Sequence, residues 1–292
     1  MGRRSVMFTP GDRPEMLRKS PTAGADVIVF DLEDAVAPGR KADARETVRA
    51  VLADPAFDPD CEVCVRVNAT ESAVTADLEA LFQTAEHDEL RFDSVMLPKV
   101  DSPGDIEGLV DELARYDVSL PVFALLESAA GVLAAPAIAA VPATDALVFG
   151  AEDLSADLGA TRTAEGTEVL YARERIVLAA GAHDCTAIDT LVTDFGDDAQ
   201  LRKDSAFSVQ LGYDGKLAIH PTQVEPINEA FTPTDEDREW ARTVLEAKRS
   251  ADAEERGVFE VDGEMIDAPL IAQAERIRSR AVAAEQWPAN RQ

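Results

Sequence analysis

Eight short apolar runs recur along the chain, and they limit its possible folds more than any other feature. They lie at residues 5–10, 26–34, 62–68, 93–99, 121–128, 145–153, 185–190 and 216–221. Each has the length and the continuous apolarity of a strand that is buried on both faces. Amphipathic segments between them predict helices near 40–53, 71–85, 103–116, 129–140, 166–181 and 197–210.

Strands that alternate regularly with helices are typical of two folds. Eight such units in succession predict a TIM (β/α)8 barrel. The doubly wound open sheet is the alternative, but its first strand is usually followed by G-x-G-x-x-G, whereas this chain has "TPGDRPEM" there. We therefore predict an α/β protein whose main domain is a TIM barrel.

The composition changes after residue 231. A long charged helix is predicted first, then a turn at Asp262-Gly263 and a second helix from about Ala268. The piece that contains this turn, from residue 258 onward, is too small for a hydrophobic core of its own. We predict a catalytic barrel domain over 1–231 and a C-terminal helical extension over 232–292 that serves as a lid and a subunit contact.

The chain has 292 residues with 56 acidic and 28 basic side chains, which gives a net charge of −28. This charge repels nucleic-acid phosphates and anionic membranes, so we expect neither as a partner. Lysine occurs only six times. Abundant acid with little lysine is typical of a halophilic cytoplasm, where salt screens the repulsion between like charges.

The N-terminal residues contain no apolar signal-peptide core, and no apolar run approaches the ~20 residues of a membrane span. We therefore expect a cytoplasmic protein. Cys61 and Cys64 form a C-x-x-C inside a strand pattern, where alternation places the two side chains on opposite faces. Together with Cys185 they predict no disulfide framework and no zinc site.

Polar side chains follow many of the predicted strands. In TIM barrels the catalytic groups sit at the carboxyl ends of the strands. The residues found there are Asp12, Arg13, Asp31, Glu33, Asp34, Arg66, Asn68, Lys99, Glu127, Ser128, Glu152, Asp153, Asp189 and His220. Several partly buried carboxylates on one rim repel one another and cannot all stay ionised without a cation.

Mg²⁺ resolves this repulsion, because it binds one or two carboxylates together with water and substrate oxygens. Glu127 and Asp153 are the best pair of ligands, since they end neighbouring strands. The alternative is that Asp153, like Ser128, caps the helix that follows.

Three further groups have two open interpretations each. Arg66 either pairs with an acid of the rim or binds a substrate carboxylate or oxyanion. His220 has either a hydrogen-bonded structural role or a functional one. Arg13, Lys41 and Arg45 are candidates to anchor phosphates near the barrel mouth, and a solvated helix face is the alternative for Lys41 and Arg45.

Seven segments at these positions resemble one known family. They are "SVMFTPGDRPEM", "DVIVFDLEDAV", "RVN", "MLPKV", "LLESAAGV", "VFGAEDLSADLG" and "AIHPTQV". In this order they resemble the citrate lyase beta subunit-like family of the HpcH/HpaI aldolase superfamily, and the resemblance extends to the C-terminal "GEMIDAPLIAQAERI". The resemblance implies a TIM barrel that assembles as a homotrimer or a dimer of trimers and binds Mg²⁺, or Mn²⁺, and an acyl-CoA.

The resemblance also implies roles for individual residues. The metal ligands would be Glu127 and Asp153, and the substrate-binding arginine would be Arg66. Backbone amides of the turn Gly150, Ala151, Glu152 and Asp153 would bind the substrate carboxylate. The catalytic aspartate, which a neighbouring subunit's lid supplies in the lyases, would be Asp267. Coenzyme A contacts would include Arg13, Lys41 and Arg45.

The function implied by the resemblance is a Mg²⁺-dependent CoA-ester lyase. It would cleave L-malyl-CoA or β-methylmalyl-CoA reversibly into glyoxylate and acetyl-CoA or propionyl-CoA. The alternatives are a citramalyl-CoA lyase, a class II aldolase of free 2-keto-3-deoxy acids, and a citrate lyase beta subunit that needs partner subunits. The sequence does not distinguish the esters, because one methylene changes binding by only about 1–3 kcal/mol.

Overall fold

The computed structural model describes residues 2–82, 89–253 and 258–287. Eight parallel strands form a closed barrel in the order β1 to β8. The strands are β1 Ser5–Pro10, β2 Val27–Asp31, β3 Glu62–Arg66, β4 Ser94–Leu97, β5 Val122–Leu126, β6 Thr144–Phe149, β7 Thr186–Asp189 and β8 Gly215–Ala218. The predicted TIM barrel is confirmed, and each predicted run contains or closely overlaps one strand.

Helices connect the strands on the outside of the barrel. They are α1 Pro14–Lys19, α2 Lys41–Leu52, α3 Glu71–Phe82, α4 Pro103–Ala114, α5 Ala129–Ala139, α6 Ala151–Leu158, α7 Leu170–Ala182, α8 Asp198–Leu211 and α9 Val224–Phe231. The predicted helical segments did not include the short helices α1, α6 and α9. Residues 83–85 of the predicted third helix lie outside the described residues.

The inside of the barrel is apolar and close-packed. Alternate strand residues contribute to it, as the pleat of a strand requires. The buried cluster consists of Val6, Val27, Val29, Cys64, Met96, Phe123, Leu125, Ala146, Val148, Ile188 and Leu217. The polar residues at the carboxyl ends of the strands therefore lie on an apolar core.

Of the described residues, those from 3 to 228 form one compact unit, and those from 229 onward form another with Gly2. In this second unit α10, Asp235–Ala253, packs against α11, Ala268–Ala283. A hairpin of β9, Phe259–Val261, and β10, Glu264–Ile266, lies between them in sequence. Its turn is the predicted Asp262-Gly263, with φ of 51° and 86°.

The apolar cluster of the second unit joins α10 to the hairpin and α11. Its buried members are Ala241, Val244, Leu245, Ala251, Phe259, Val261, Ile266 and Ala274. The hairpin and α11 therefore share a hydrophobic core with the long helix α10. Among the described helices, none combines the length and the apolarity needed to cross a membrane.

Candidate active site

The carboxyl ends of β2, β3, β5 and β6 bring a polar group together at the barrel mouth. Asp31 and Arg66 are partners in the β2–β3 register. Leu125 and Val148, which face the barrel interior, are partners in the β5–β6 register. Glu127 and Gly150 lie two residues further along these strands and therefore face the same inner side.

Glu127 is the most perturbed carboxylate at the mouth. Its residue is only 7% exposed, and its Oε1 accepts a hydrogen bond of 2.9 Å from the backbone N–H of Lys99. Burial, with the nearby negative charge of Asp153, raises the pKa of Glu127 to about 7. A buried carboxylate beside a second one is a site where a bound cation removes an electrostatic cost.

Gly150 makes room for this carboxylate. A Cβ at residue 150 would lie 2.6 Å from Cβ of Glu127 and 2.8 Å from its Oε2. The side chain of Glu127 therefore passes directly over the backbone between β6 and α6. This close approach explains why a glycine stands at the turn.

Asp153 lies in the first turn of α6, where the positive end of the helix dipole favours an anion. The helical ladder begins with the hydrogen bond from the Leu154 N–H to the Gly150 carbonyl. The N–H groups of Glu152 and Asp153 precede that bond and point out of the helix end. Ala151 donates its N–H to Thr190 Oγ1 at 3.1 Å, which anchors the turn to the strand end of β7.

The other two acids of this segment have structural contacts. Glu152 forms an ion pair of 2.9 Å with Arg162. Asp157 accepts a hydrogen bond of 2.8 Å from the N–H of Ala129, at the start of α5. Only Asp153 among the three thus lies beside Glu127.

Arg66 is held by two carboxylates. Its Nε and Nη2 donate to Asp31 at 2.7 and 2.5 Å, and its Nη1 lies 3.3 Å from Glu33. Burial alone would lower the pKa of Arg66, but the hydrogen bonds and charge of Asp31 outweigh it and raise that pKa. Arg66 is therefore a permanent cation of fixed orientation at the mouth.

Asp31 fixes this orientation because all of its acceptor directions are used. Besides the guanidinium, its two oxygens accept the N–H groups of Glu33 at 2.8 Å and Ala35 at 3.0 Å. Asp31 appears among the strand ends in the sequence, but nothing there distinguishes it from other acids. Its pairing with Arg66 follows from the β2–β3 register.

Lys99, which was among the predicted strand-end residues without an assigned role, is a second cation at the mouth. Its Nζ donates to Glu33 Oε1 at 2.6 Å, and its backbone has a φ of 55°. A positive φ is uncommon for a residue with a side chain. Neither this backbone conformation nor the pairing with Glu33 could have been predicted from the sequence.

The other predicted site residues lie in different contacts. Lys41 donates its Nζ to the carbonyls of Leu32 at 2.7 Å and Glu33 at 2.6 Å. Arg45 pairs with the buried Asp77 at 2.6 Å. Both are held by internal partners, so their role as phosphate anchors stays a prediction.

The roles that the resemblance implies for Arg13 and Asp267 also stay predictions. The side chain of Arg13 is 65% exposed and lies 3.5 Å from Asp12. Asp267 caps α11, with its carboxylate near the N–H of Leu270 at 3.5 Å, and belongs to the second compact unit.

Asp189 does not belong to the rim, contrary to its place among the predicted strand ends. Ile188 faces the barrel interior, so Asp189 faces outward, toward the helices. It is fully buried there and pairs with Arg173 and, at 3.4 Å, with Lys216. The strand-end position was correct, but the alternation of the strand turned this acid away.

His220 has the hydrogen-bonded role that was one of its two interpretations. Its Nδ1 lies 2.8 Å from Thr222 Oγ1. Its ring stacks on Phe195, with the ring centres 4.7 Å apart. These contacts shape the loop after β8.

The residues at the mouth fit a hard divalent cation that takes only a few ligands from the protein. Among the described residues, no three histidine, cysteine or acidic side chains form a metal-binding group. The candidate donors are Glu127 and Asp153. Two carboxylates that leave room for water and substrate oxygens are the arrangement that suits Mg²⁺.

Comparisons with known proteins show which family the chain resembles. A family model described as HpcH/HpaI aldolase/citrate lyase matches residues 4–221. A "citrate lyase subunit beta-like protein" of Deinococcus radiodurans is 40% identical over 281 residues, which is 94% of this chain and 96% of that protein. The mitochondrial citramalyl-CoA lyase of Homo sapiens is 35% identical over 289 residues, 94% of this chain and 84% of that protein.

A solved structure shares both fold and sequence with the chain. The protein CitE from Mycobacterium tuberculosis, in complex with magnesium, acetoacetate and coenzyme A, matches with a TM-score of 0.78 and 35% identity. The match covers 96% of this chain and 98% of the other.

Proposed function

Because the chain belongs to the HpcH/HpaI aldolase/citrate lyase family and is a carbon–carbon lyase, we propose that it is a Mg²⁺-dependent lyase of acyl-CoA esters. One observation carries this proposal. The buried Glu127, with Asp153 beside it, lies at the same barrel mouth as the oriented cation Arg66. A paired carboxylate site next to a fixed guanidinium suits an anionic substrate that also coordinates a metal.

The substrate class we propose is a 3-hydroxyacyl-CoA with a carboxylate on the hydroxyl-bearing carbon. A solved relative holds magnesium, acetoacetate and coenzyme A, and a human relative is named a citramalyl-CoA lyase. Citramalyl-CoA therefore stands beside L-malyl-CoA and β-methylmalyl-CoA as a candidate. All three share the carboxylate and hydroxyl oxygens that the site would bind.

In the proposed reaction the bond between C2 and C3 of the acyl chain breaks. Mg²⁺, when held by Glu127 and Asp153, supplies Lewis-acid polarisation of the substrate oxygens. Arg66 stabilises negative charge on the C3 oxygen as the hydroxyl gives its proton to solvent water and becomes a carbonyl. The N–H groups at the start of α6 bind the substrate carboxylate.

The electron pair of the broken bond stays on C2 of the departing acyl-CoA. We assign to Asp267 the proton that this carbon gains in cleavage and loses in condensation. Arg13, Lys41 and Arg45 are the candidates for contacts with the coenzyme A phosphates. Lys41 and Arg45 would then have to give up part of their present contacts, with the Leu32 carbonyl and with Asp77, to bind a phosphate.

The experiment that tests this function offers all three esters to the purified protein with Mg²⁺ in high salt. We expect cleavage of at least one ester, with glyoxylate or pyruvate as the oxoacid product. EDTA should abolish the activity, and added Mg²⁺ should restore it. If none of the three esters is cleaved, the proposal is wrong.

Two other functions use the same metal site. The family description includes aldolases, and a relative is named for a citrate lyase subunit. A class II aldolase acting on free 2-keto-3-deoxy acids should be insensitive to Asp267→Asn, whereas a CoA-ester lyase should lose at least about 10²-fold in kcat. A subunit that depends on partner subunits should be inactive on free CoA esters. A native-mass measurement should then show that the assayed protein contains only copies of this chain.

A further inference from the structure

Lys99 lies between the two charged halves of the site. It follows β4 by two residues, and its backbone N–H donates to Glu127 Oε1 at 2.9 Å. The backbone of Lys99 has a φ of 55°. A side-chain-bearing residue in this conformation is held there by its surroundings at some cost in backbone energy.

The side chain of Lys99 reaches the other half of the site. Its Nζ donates to Glu33 Oε1 at 2.6 Å and lies 3.8 Å from Asp34 Oδ1. The second oxygen of Glu33 lies 3.3 Å from Nη1 of Arg66. One residue thus contacts Glu127 through its backbone and, through Glu33, the guanidinium of Arg66.

Glu33 is the acid that makes this arrangement necessary. It is buried, and its negative charge acts on Glu127 as well as on Arg66. Without a cation beside it, the negative charge of Glu33 would attract a metal ion at Glu127 and Asp153 more strongly and would offset more of the positive charge of Arg66. The ammonium of Lys99 offsets part of the Glu33 charge.

We propose that Lys99 is a positioning residue: its N–H orients Glu127, and its ammonium holds Glu33 as a counter-ion. The ammonium thereby limits metal affinity and reduces the extent to which Glu33 offsets the attraction of Arg66 for an anionic substrate. This inference rests on the proposed function. It has a signature that a purely structural role lacks: loss of the ammonium moves the affinities for cation and anion in opposite directions.

The test uses Lys99→Met, which removes the charge from a side chain of similar length, and Lys99→Gly, which also accepts a positive φ without strain. Mn²⁺ binding to the metal-free protein and pyruvate binding to the Mg²⁺-loaded protein are measured by calorimetry. In both variants we expect Mn²⁺ to bind about three- to tenfold more tightly and pyruvate to bind about three- to tenfold more weakly. High KCl should reduce both changes, since they are electrostatic.

Two controls accompany these variants. Lys99→Arg keeps the charge and should shift both affinities less than Lys99→Met does. Lys203→Met removes an exposed lysine of α8, with the same change in net charge, and should leave Mn²⁺ binding unchanged.

The outcomes distinguish a wrong role for Lys99 from a wrong proposed function. If Lys99→Met and Lys99→Gly weaken Mn²⁺ binding, leave it unchanged, or tighten it without weakening pyruvate, the inference is wrong and the proposed function stands. If the unaltered protein binds no Mn²⁺, the proposed function and this inference both fail.

Discussion

Glu127 shows at the scale of one residue what a buried carboxylate costs this protein. Its pKa of about 7, against an ordinary value of 4.5, means that the folded chain releases this proton at higher pH than the unfolded chain. Folding therefore takes up a proton between these values. The metal-free protein loses stability from this group as the pH rises from about 4.5 to about 7, by about 1–3 kcal/mol in total.

The first prediction removes this charge. Glu127→Gln keeps an acceptor for the Lys99 N–H, so in EDTA we expect it to be more stable than the unaltered protein at pH 8, by about 1–3 kcal/mol. At pH 4.5 the difference should be much smaller. Urea unfolding at the two pH values measures both.

The same variant should lose at least about tenfold in Mn²⁺ affinity, because a carboxylate ligand becomes a neutral amide. Glu174→Gln, at an exposed position of α7, is the control and should change neither quantity. A Glu127→Gln variant with the same stability difference at both pH values would contradict the raised pKa.

The turn between β6 and α6 is the element on which the site is built. It brings helix N–H groups, Asp153 and the approach of Glu127 to one place. Gly150 has a φ of −108°, which any residue adopts, so its role is the space it leaves and not its backbone freedom.

The second prediction tests this space. Gly150→Ala should destabilise the protein by about 1–3 kcal/mol, because its Cβ would clash with the Glu127 side chain, and should weaken Mn²⁺ binding as well. Gly108→Ala is the matched control. It places a Cβ in open space inside α4 and should stabilise the protein by about 0.5–1 kcal/mol. Equal effects of the two substitutions on Mn²⁺ binding would contradict the proposed geometry.

The strand β7 carries charge on its outer face instead of at the mouth. Asp189 accepts hydrogen bonds from Arg173 at 3.2 Å and from Ser208 at 2.5 Å, with Lys216 nearby. Asp204 completes the neutral group of two acids and two bases. This buried network ties α7 and α8 to the sheet.

The third prediction follows from the burial of this network. Asp189→Asn leaves Arg173 and Lys216 with excess positive charge in a buried place and should cost about 3–5 kcal/mol of unfolding free energy. Mn²⁺ affinity of the folded variant should not change. For comparison, Asp198→Asn breaks an exposed ion pair with Arg202 and should cost no more than about 0.5 kcal/mol. A similar loss in both variants would show that the network is not a strong stabilising feature.

At the scale of the whole molecule, the net charge of −28 opposes folding through repulsion. The fourth prediction is that KCl stabilises the protein: the urea midpoint should be higher in about 2 M KCl than in about 0.1 M, because salt shortens the range of charge repulsion. NaCl at equal ionic strength should act similarly if screening is the cause. A midpoint that is unchanged or lower in concentrated KCl would contradict it.

The fifth prediction concerns the proposed homo-oligomer. If Asp267 acts in the site of a neighbouring subunit, Glu127→Gln and Asp267→Asn chains should each be nearly inactive. When they are co-expressed in equal amounts, about a quarter of the sites should combine intact residues from both chains. Ester cleavage by the mixed oligomer measures this. Activity no higher than that of either variant alone would place both residues in one chain's site or exclude an oligomer.

Much of the barrel could be predicted because its signals are local. Valine-rich runs of strand length and amphipathic helices between them reveal the number and order of the strands without any knowledge of contacts. The carboxyl ends of parallel strands meet at one rim, so Glu127, Asp153 and Arg66 could be placed together. The boundaries were less accurate at Gly150, where the predicted strand continued into what is the start of α6.

What the sequence determined by itself is therefore the fold and the short list of residues at the mouth. The tertiary structure alone decided which of them face inward, since successive strand residues point to opposite sides and a shift of one residue reverses the assignment. For this reason Asp189, although it ends β7, does not face the barrel mouth. It also decided the pairs Asp31–Arg66 and Lys99–Glu33, because partners 35 and 66 residues apart meet only through strand register and a positive φ.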